Sequence, residues 1–170
     1  AYREMKRIEL DIIAKIHASF GHRARKAIGT RSLLSTKQFF GIDVIPFAVE
    51  LAKVTLMLAK ELVLTESHLW FDQSQIELPI NFDLALPLDN LDDNIFCDDA
   101  LFCEWQKADA IISNPPYQSK NKMQQEFGRA YVNRVRSRYP DVPGRADYCV
   151  YWFRRAHDEL AEGCRAGLVG

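Results

Sequence analysis

The apolar run Ala110-Ile111-Ile112 leads straight into Ser113-Asn114-Pro115-Pro116-Tyr117, and no other stretch limits the fold so sharply. Proline has no N–H to give a neighbouring strand, its ring fixes φ, and the residue before it is pushed toward extended backbone. Asn114 to Tyr117 must therefore form a stiff, non-helical elbow where a buried strand ends. In open α/β sheets ligands bind at the carboxyl ends of strands. A lone Asn-Pro step would be an ordinary strand closure. The second proline and the ring of Tyr117 set this elbow apart.

The pattern around the elbow alternates. Tyr2, Met5, Ile8, Ile12, Ile16 and Phe20 recur at helical spacing, predicting an amphipathic helix over residues 1 to about 19, closed by Gly21. Gln38 to Val44 reads as a strand, and Pro46 stands where a helix would begin. That helix is expected to reach about residue 63, with Phe47, Leu51, Val54, Leu58 and Leu62 on one face. Between Thr65 and Asp93 the pattern weakens, with Pro79 and Pro87 interrupting it. Asn94 to Cys97 and Ala108 to Ser113 are the next two strands. Asp147 to Glu162 reads as a helix with Cys149, Trp152, Phe153, Ala156 and Leu160 inward and Gly163 as its stop, before a strand opening at Arg165. This order predicts an α/β fold, a mostly parallel sheet with helices on both faces.

Length and composition fit one soluble domain: 170 residues, 48% hydrophobic, 26% charged. A formal net charge of -1 excludes a wholly basic nucleic-acid-coating protein but permits a local basic face. No apolar run approaches the roughly 20 residues of a membrane helix. Cys97, Cys103, Cys149 and Cys164 form no CxxC pair, so reduced thiols in a cytoplasmic protein are expected, and no metal site. The scattered His17, His22, His68 and His157 receive no role.

Two carboxylate positions stand at strand ends. Asp43 follows Gly41 just before a helix, where an acid can accept from ribose hydroxyls or simply favour the helix dipole. Asp98 and Asp99 close the next strand, and one could accept from an exocyclic amino group. Successive strand residues point to opposite faces, so the pair does not converge on one site. Beyond Tyr117, from 118 to 145, lies a basic excursion interleaved with Phe127, Tyr131 and Tyr139, part of it helical around Met123 to Arg138. Arg23, Arg25, Lys26, Arg31 and Lys37 mark a second, solvated basic segment.

Asn114-Pro115-Pro116-Tyr117 after an apolar strand resembles the catalytic motif of amino-methyltransferases, and the wider match is to DNA adenine-N6 methyltransferases of restriction–modification systems. Phe40 to Ala52, then Cys97-Asp98-Asp99-Ala100-Leu101, then the elbow carry it, with Asp147-Tyr148 and the strand at Gly167 following in order. The resemblance spans nearly the whole chain. It implies a Rossmann-like methyltransferase fold, S-adenosylmethionine as cofactor and double-stranded DNA as partner. Asp43 would then hold the cofactor ribose with Val44 and Ile45 beside its adenine, and Asp99 and Ala100 would meet the adenine edge. Asn114 and Pro115 would accept from the target amino group, Pro116 would stiffen the elbow, and Tyr117 would stack on a flipped base. Lys120, Lys122, Arg129 and Arg134 would face DNA phosphates.

The same elbow resembles enzymes that methylate a glutamine amide in release factors or a guanine amino group in RNA. A non-catalytic DNA-binding module on the same fold is a further reading. The family's glycine-rich cofactor loop and any target-recognition domain are not in this sequence. The chain starts inside one periodic pattern and stops inside another. It is therefore expected to be a single, incomplete catalytic domain (1–170) of a larger chain, with or without a fused nuclease. On that expectation the 170 residues alone bind S-adenosylmethionine weakly and do not methylate.

Overall fold

The computed structural model describes residues 1–20, 33–71 and 90–170. The expected Gly21 stop, the basic run from Arg23 to Arg31, and Pro79 and Pro87 lie outside the described residues. The chain divides into two compact units, Ala1–Asp98 and Asp99–Gly170.

In the first unit, helix α1 (Tyr2–Phe20) is followed by a 3-10 turn (Thr36–Gln38), strand β1 (Gly41–Asp43), helix α2 (Pro46–Phe71) and strand β2 (Ile95–Cys97). β1 and β2 pair in parallel, Gly41 with Ile95 through Asp43 with Cys97, so α2 is the crossover of a β-α-β unit. The expected strand from Gln38 is shorter than the apolar pattern because a capping box claims its beginning. Ser35 Oγ accepts from Lys37 N at 3.3 Å, and the Gln38 side chain accepts from Ser35 N at 2.8 Å. α2 outruns its expected end near residue 63. Thr65 does not break it, because its hydroxyl donates back to the Glu61 carbonyl at 3.1 Å inside the helix.

Both helices turn a different face inward from the one their periodicity favours. On α1 the buried side chains are Tyr2, Lys6, Leu10 and Ile13, while Met5, Ile8, Ile12 and Phe20 are exposed. A polar clamp decides it. Lys6 Nζ donates to Glu9 (2.8 Å) and to the Leu34 carbonyl (2.7 Å), and Glu9 accepts from the backbone N–H groups of Leu33 and Leu34. Burial pushes the Glu9 carboxyl up, but Lys6 and the two backbone donors outweigh it and hold it below the usual range. On α2, Val49 and Val63 are buried, whereas Phe47, Leu51, Val54, Leu58 and Leu62 remain exposed.

The second unit carries strand β3 (Ala110–Ser113), helix α3 (Lys120–Arg138), helix α4 (Cys149–Glu159) and strand β4 (Arg165–Leu168). β3 and β4 pair in parallel, Ala110 with Arg165 through Ser113 with Leu168. These two parallel pairs give the expected mixed α/β character, but among the described residues the strands form two separate two-stranded sheets rather than the expected single, mostly parallel one. Ile112, expected in a buried strand, is 77% exposed. The core of this unit gathers Leu101, Met123, Val132, Val135, Tyr139, Val142, Tyr148 and Tyr151. α3 begins earlier than the Met123 expected for the excursion, and most of 118–145 is helix. α4 buries Ala156 of the expected stripe together with Tyr151 and Arg155, and the expected Trp152 packs half-buried against the core; Phe153 is exposed. Arg155 tolerates burial because it donates to the Cys103 carbonyl at 2.7 Å and pairs with Glu159 at 2.7 Å. Gly163, with φ +83°, lies beyond the helix end and turns the chain into β4.

Gly128 interrupts α3 with φ 80° and ψ 164°, a region open almost only to glycine. A Cβ there would meet no atom within 4 Å, so the barrier to substitution is conformational, not steric crowding. Gly128→Ala should lower the unfolding free energy by about 1–3 kcal/mol. Urea unfolding would register this as a lower midpoint; an unchanged midpoint would contradict the kink.

Candidate functional site

The elbow is built as its sequence demands. Asn114, Pro115, Pro116 and Tyr117 form extended, non-helical backbone between β3 and α3. Val169 N donates to the Ser113 carbonyl at 3.1 Å, carrying the strand pairing to the last residue before the elbow. Pro115 is buried, while Asn114, Pro116 and Tyr117 are exposed. The Tyr117 hydroxyl donates to Asn114 Oδ1 at 2.6 Å, so a side-chain acceptor and an aromatic ring share one solvent-facing spot. Beyond the elbow, the Gln118 carbonyl accepts from Tyr148 N at 2.8 Å, tying it to the start of α4.

Asp99, in the same unit, is held on both oxygens. Oδ1 accepts from Leu101 N at 3.0 Å and Oδ2 from the Tyr131 hydroxyl at 2.8 Å. Its backbone carbonyl accepts from Phe102 N and Cys103 N, each at 2.9 Å. The neighbouring Ala100 carbonyl takes the Trp105 indole N–H at 2.7 Å. The Tyr131 and Tyr148 hydroxyls lie 2.6 Å apart, with the Phe127 ring tilted against both. Burial, with Tyr148 and Asp99 alongside, raises the Tyr131 phenol far above its ordinary value. Burial and the Asp99 and Glu126 carboxylates push Tyr148 up to about 12. Sequence reading missed these two tyrosines as site neighbours. Tyr131 stood among the aromatic residues interleaved in the basic stretch and Tyr148 in the pair Asp147-Tyr148, and the neighbouring Tyr139 is buried, donating to the Leu101 carbonyl at 2.7 Å.

The remaining candidates in the first unit sit at the carboxyl end of its strands. Asp43 Oδ1 accepts from Ile45 N at 2.8 Å, and its carbonyl accepts from Asp98 N at 3.1 Å. Asp43 is exposed, and Val44 and Ile45 beside it are exposed apolar side chains. An outward carboxylate can accept from hydroxyl groups, and the two apolar side chains beside it offer a surface for a planar ring, which is compatible with the ribose and adenine expected there.

Of the basic residues, Lys122 and Arg129 are exposed and Lys120 is half-buried. The Arg134 guanidinium lies 3.8 Å over the Phe102 ring. Arg136 donates to the Gly144 carbonyl at 2.9 Å. The cysteines are all thiols. Among the described residues no group of three or more His, Cys, Asp or Glu is placed to hold a metal ion, and no helix is long and apolar enough to cross a membrane.

No curated protein matches the chain significantly. The family model for the MmeI DNA-methyltransferase domain matches residues 1–169, nearly the full length, with the elbow and both carboxylate positions inside the match. The chain belongs to the MmeI DNA-methyltransferase domain family.

Proposed function

We propose that the chain is the catalytic part of a restriction–modification protein that methylates the N6 amino group of an adenine flipped out of double-stranded DNA. S-adenosylmethionine supplies the methyl group as an electrophilic carbon on a sulfonium. The observation that carries the reading is the contact of Tyr117 with Asn114: an O–H donor from an exposed ring rests on Oδ1 at 2.6 Å. An adenine stacked on that ring would bring an N–H donor to the same acceptor. DNA as substrate follows the family; the RNA-guanine and glutamine-amide readings rest on the elbow motif.

Adenine N6 is a poor nucleophile because its lone pair is delocalised into the ring. Asn114 Oδ1 and the Pro115 carbonyl, accepting from its two N–H groups, favour a tetrahedral nitrogen. They also stabilise the positive charge that develops on it, and the two prolines keep the backbone that carries both acceptors fixed. Orientation of the amino group supplies the rest. In this reading Asp43, Val44 and Ile45 hold the cofactor ribose and ring, and Asp99 and Ala100 meet its adenine edge. Lys120, Lys122, Arg129 and Arg134 give sequence-independent hold on phosphates.

Two tests follow. The full-length protein, given labelled S-adenosylmethionine and DNA, should place label on adenine N6 by mass spectrometry. Asn114→Ala should cut the rate by about 10²–10³. Tyr117→Phe should stay within about threefold, and Tyr117→Ala, which removes a stack worth about 1–3 kcal/mol, should lose about tenfold or more. Label found only on RNA or protein would overturn the reading. Separately, Lys122→Ala or Arg129→Ala should reduce the salt dependence of DNA binding by about 0.9 in log–log slope per lost phosphate contact. Arg134→Ala should change it less, because that guanidinium is already stacked on Phe102. Equal slopes for all variants and the parent would count against a phosphate-facing α3.

A further inference from the structure

We infer that Tyr131 is a positioning residue for methyl transfer: its hydroxyl fixes the plane of the Asp99 carboxylate, and Tyr148 in turn fixes Tyr131. The inference rests on the reading of Asp99 as a cofactor-holding group. Asp99 sits at the start of the second unit, just beyond β2, and a carboxylate in such a position is otherwise free to rotate about two bonds. Here it is pinned at both ends. Leu101 N holds Oδ1 at 3.0 Å and the Tyr131 hydroxyl holds Oδ2 at 2.8 Å. With both oxygens committed, the direction of the other carboxylate lone pairs is set, and with it the direction from which an amino donor is accepted.

The order of donors follows from proton count. Tyr131 has one hydroxyl proton and gives it to Asp99. The 2.6 Å contact between the phenols must then run from the Tyr148 O–H to the Tyr131 oxygen. A chain of two donors aimed at one anion is mutually strengthening in a half-buried setting. Both rings are packed against other aromatic side chains. Tyr131 packs edge-on to Phe102 at 5.9 Å and against Phe127 at 5.2 Å, while Tyr148 meets the Trp152 ring edge-on at 4.5 Å. Tyr148 also donates its backbone N–H to the Gln118 carbonyl, next to Tyr117. One hydrogen-bonded line thus runs from the residue that follows the elbow to the carboxylate assigned to the cofactor. Raised phenol pKa values keep both protons in place through the neutral range, so the donors persist at working pH.

The test is steady-state kinetics of the full-length protein with DNA saturating and S-adenosylmethionine varied. Tyr131→Phe keeps the ring and its packing and removes only the donor. It should raise KM for S-adenosylmethionine by about 3–10-fold, the worth of one ordinary hydrogen bond, with kcat at saturating cofactor within about twofold. Asp99→Asn should raise the same KM at least as much, and the double variant should be no worse than Asp99→Asn alone, because the two act as one unit. A KM unchanged in Tyr131→Phe but raised in Asp99→Asn would overturn the positioning role and leave the cofactor reading standing. A KM unchanged in Asp99→Asn would overturn both, by removing the reading on which the inference rests. Additive losses in the double variant would likewise sink it.

Discussion

A strand that runs into two consecutive prolines has to stop. β3 reaches Ser113 with its pairing to β4 intact, and the next residues with backbone N–H groups on both sides of the elbow are Asn114 and Tyr117. Pro115 and Pro116 cannot extend the ladder, and each pushes the residue before it out of helical backbone, so the chain crosses the strand end in extended backbone. That constraint exposes Asn114 and Tyr117 together while Pro115 stays buried beneath them. It also sets where α3 can begin, and α3 carries both the basic surface and the aromatic side chains that reach Asp99.

The two units solve one problem in the same way. Each has a pair of short parallel strands whose carboxyl ends present polar groups: Asp43 and Asp98 in the first, Asn114 in the second. In each, the polar group is oriented by a neighbour close in sequence. Asp43 is held by Ile45 N, and Asn114 by the Tyr117 hydroxyl. Short-range hydrogen bonds of this kind are modest in net stability, about 0.5–1.5 kcal/mol each, but they fix direction. For the proposed methyl transfer, which needs acceptors aimed at one nitrogen, direction matters more than strength.

The elbow and the strand-end acids were legible because proline and strand periodicity act locally. Those local signals also carried the resemblance to DNA methyltransferases of restriction–modification systems, which the family match supports; the adenine specificity is a proposal. The helix faces were not legible. α1 and α2 carry apolar residues on more than one stripe, and the choice between stripes is made by partners distant in sequence. Lys6 and Glu9, polar residues that a periodicity count places outside, are drawn in by the backbone of Leu33 and Leu34. The capping box from Ser35 to Gln38 was written in the sequence as S-T-K-Q and overlooked beneath the apolar run that follows. The link from Tyr131 to Asp99 spans 32 residues and exists only once α3 has folded back, so no spacing rule could have found it.

The central claim is that Asn114 and Pro115 receive the amino group now stood in for by the Tyr117 hydroxyl. A crystal structure of the full-length protein with a duplex and a cofactor analogue tests this most directly. The account predicts an extruded adenine stacked on Tyr117, its N6 within about 3 Å of both Asn114 Oδ1 and the Pro115 carbonyl, and the Tyr117 hydroxyl withdrawn. An extruded base bound elsewhere, with the bond between Tyr117 and Asn114 intact, would contradict it.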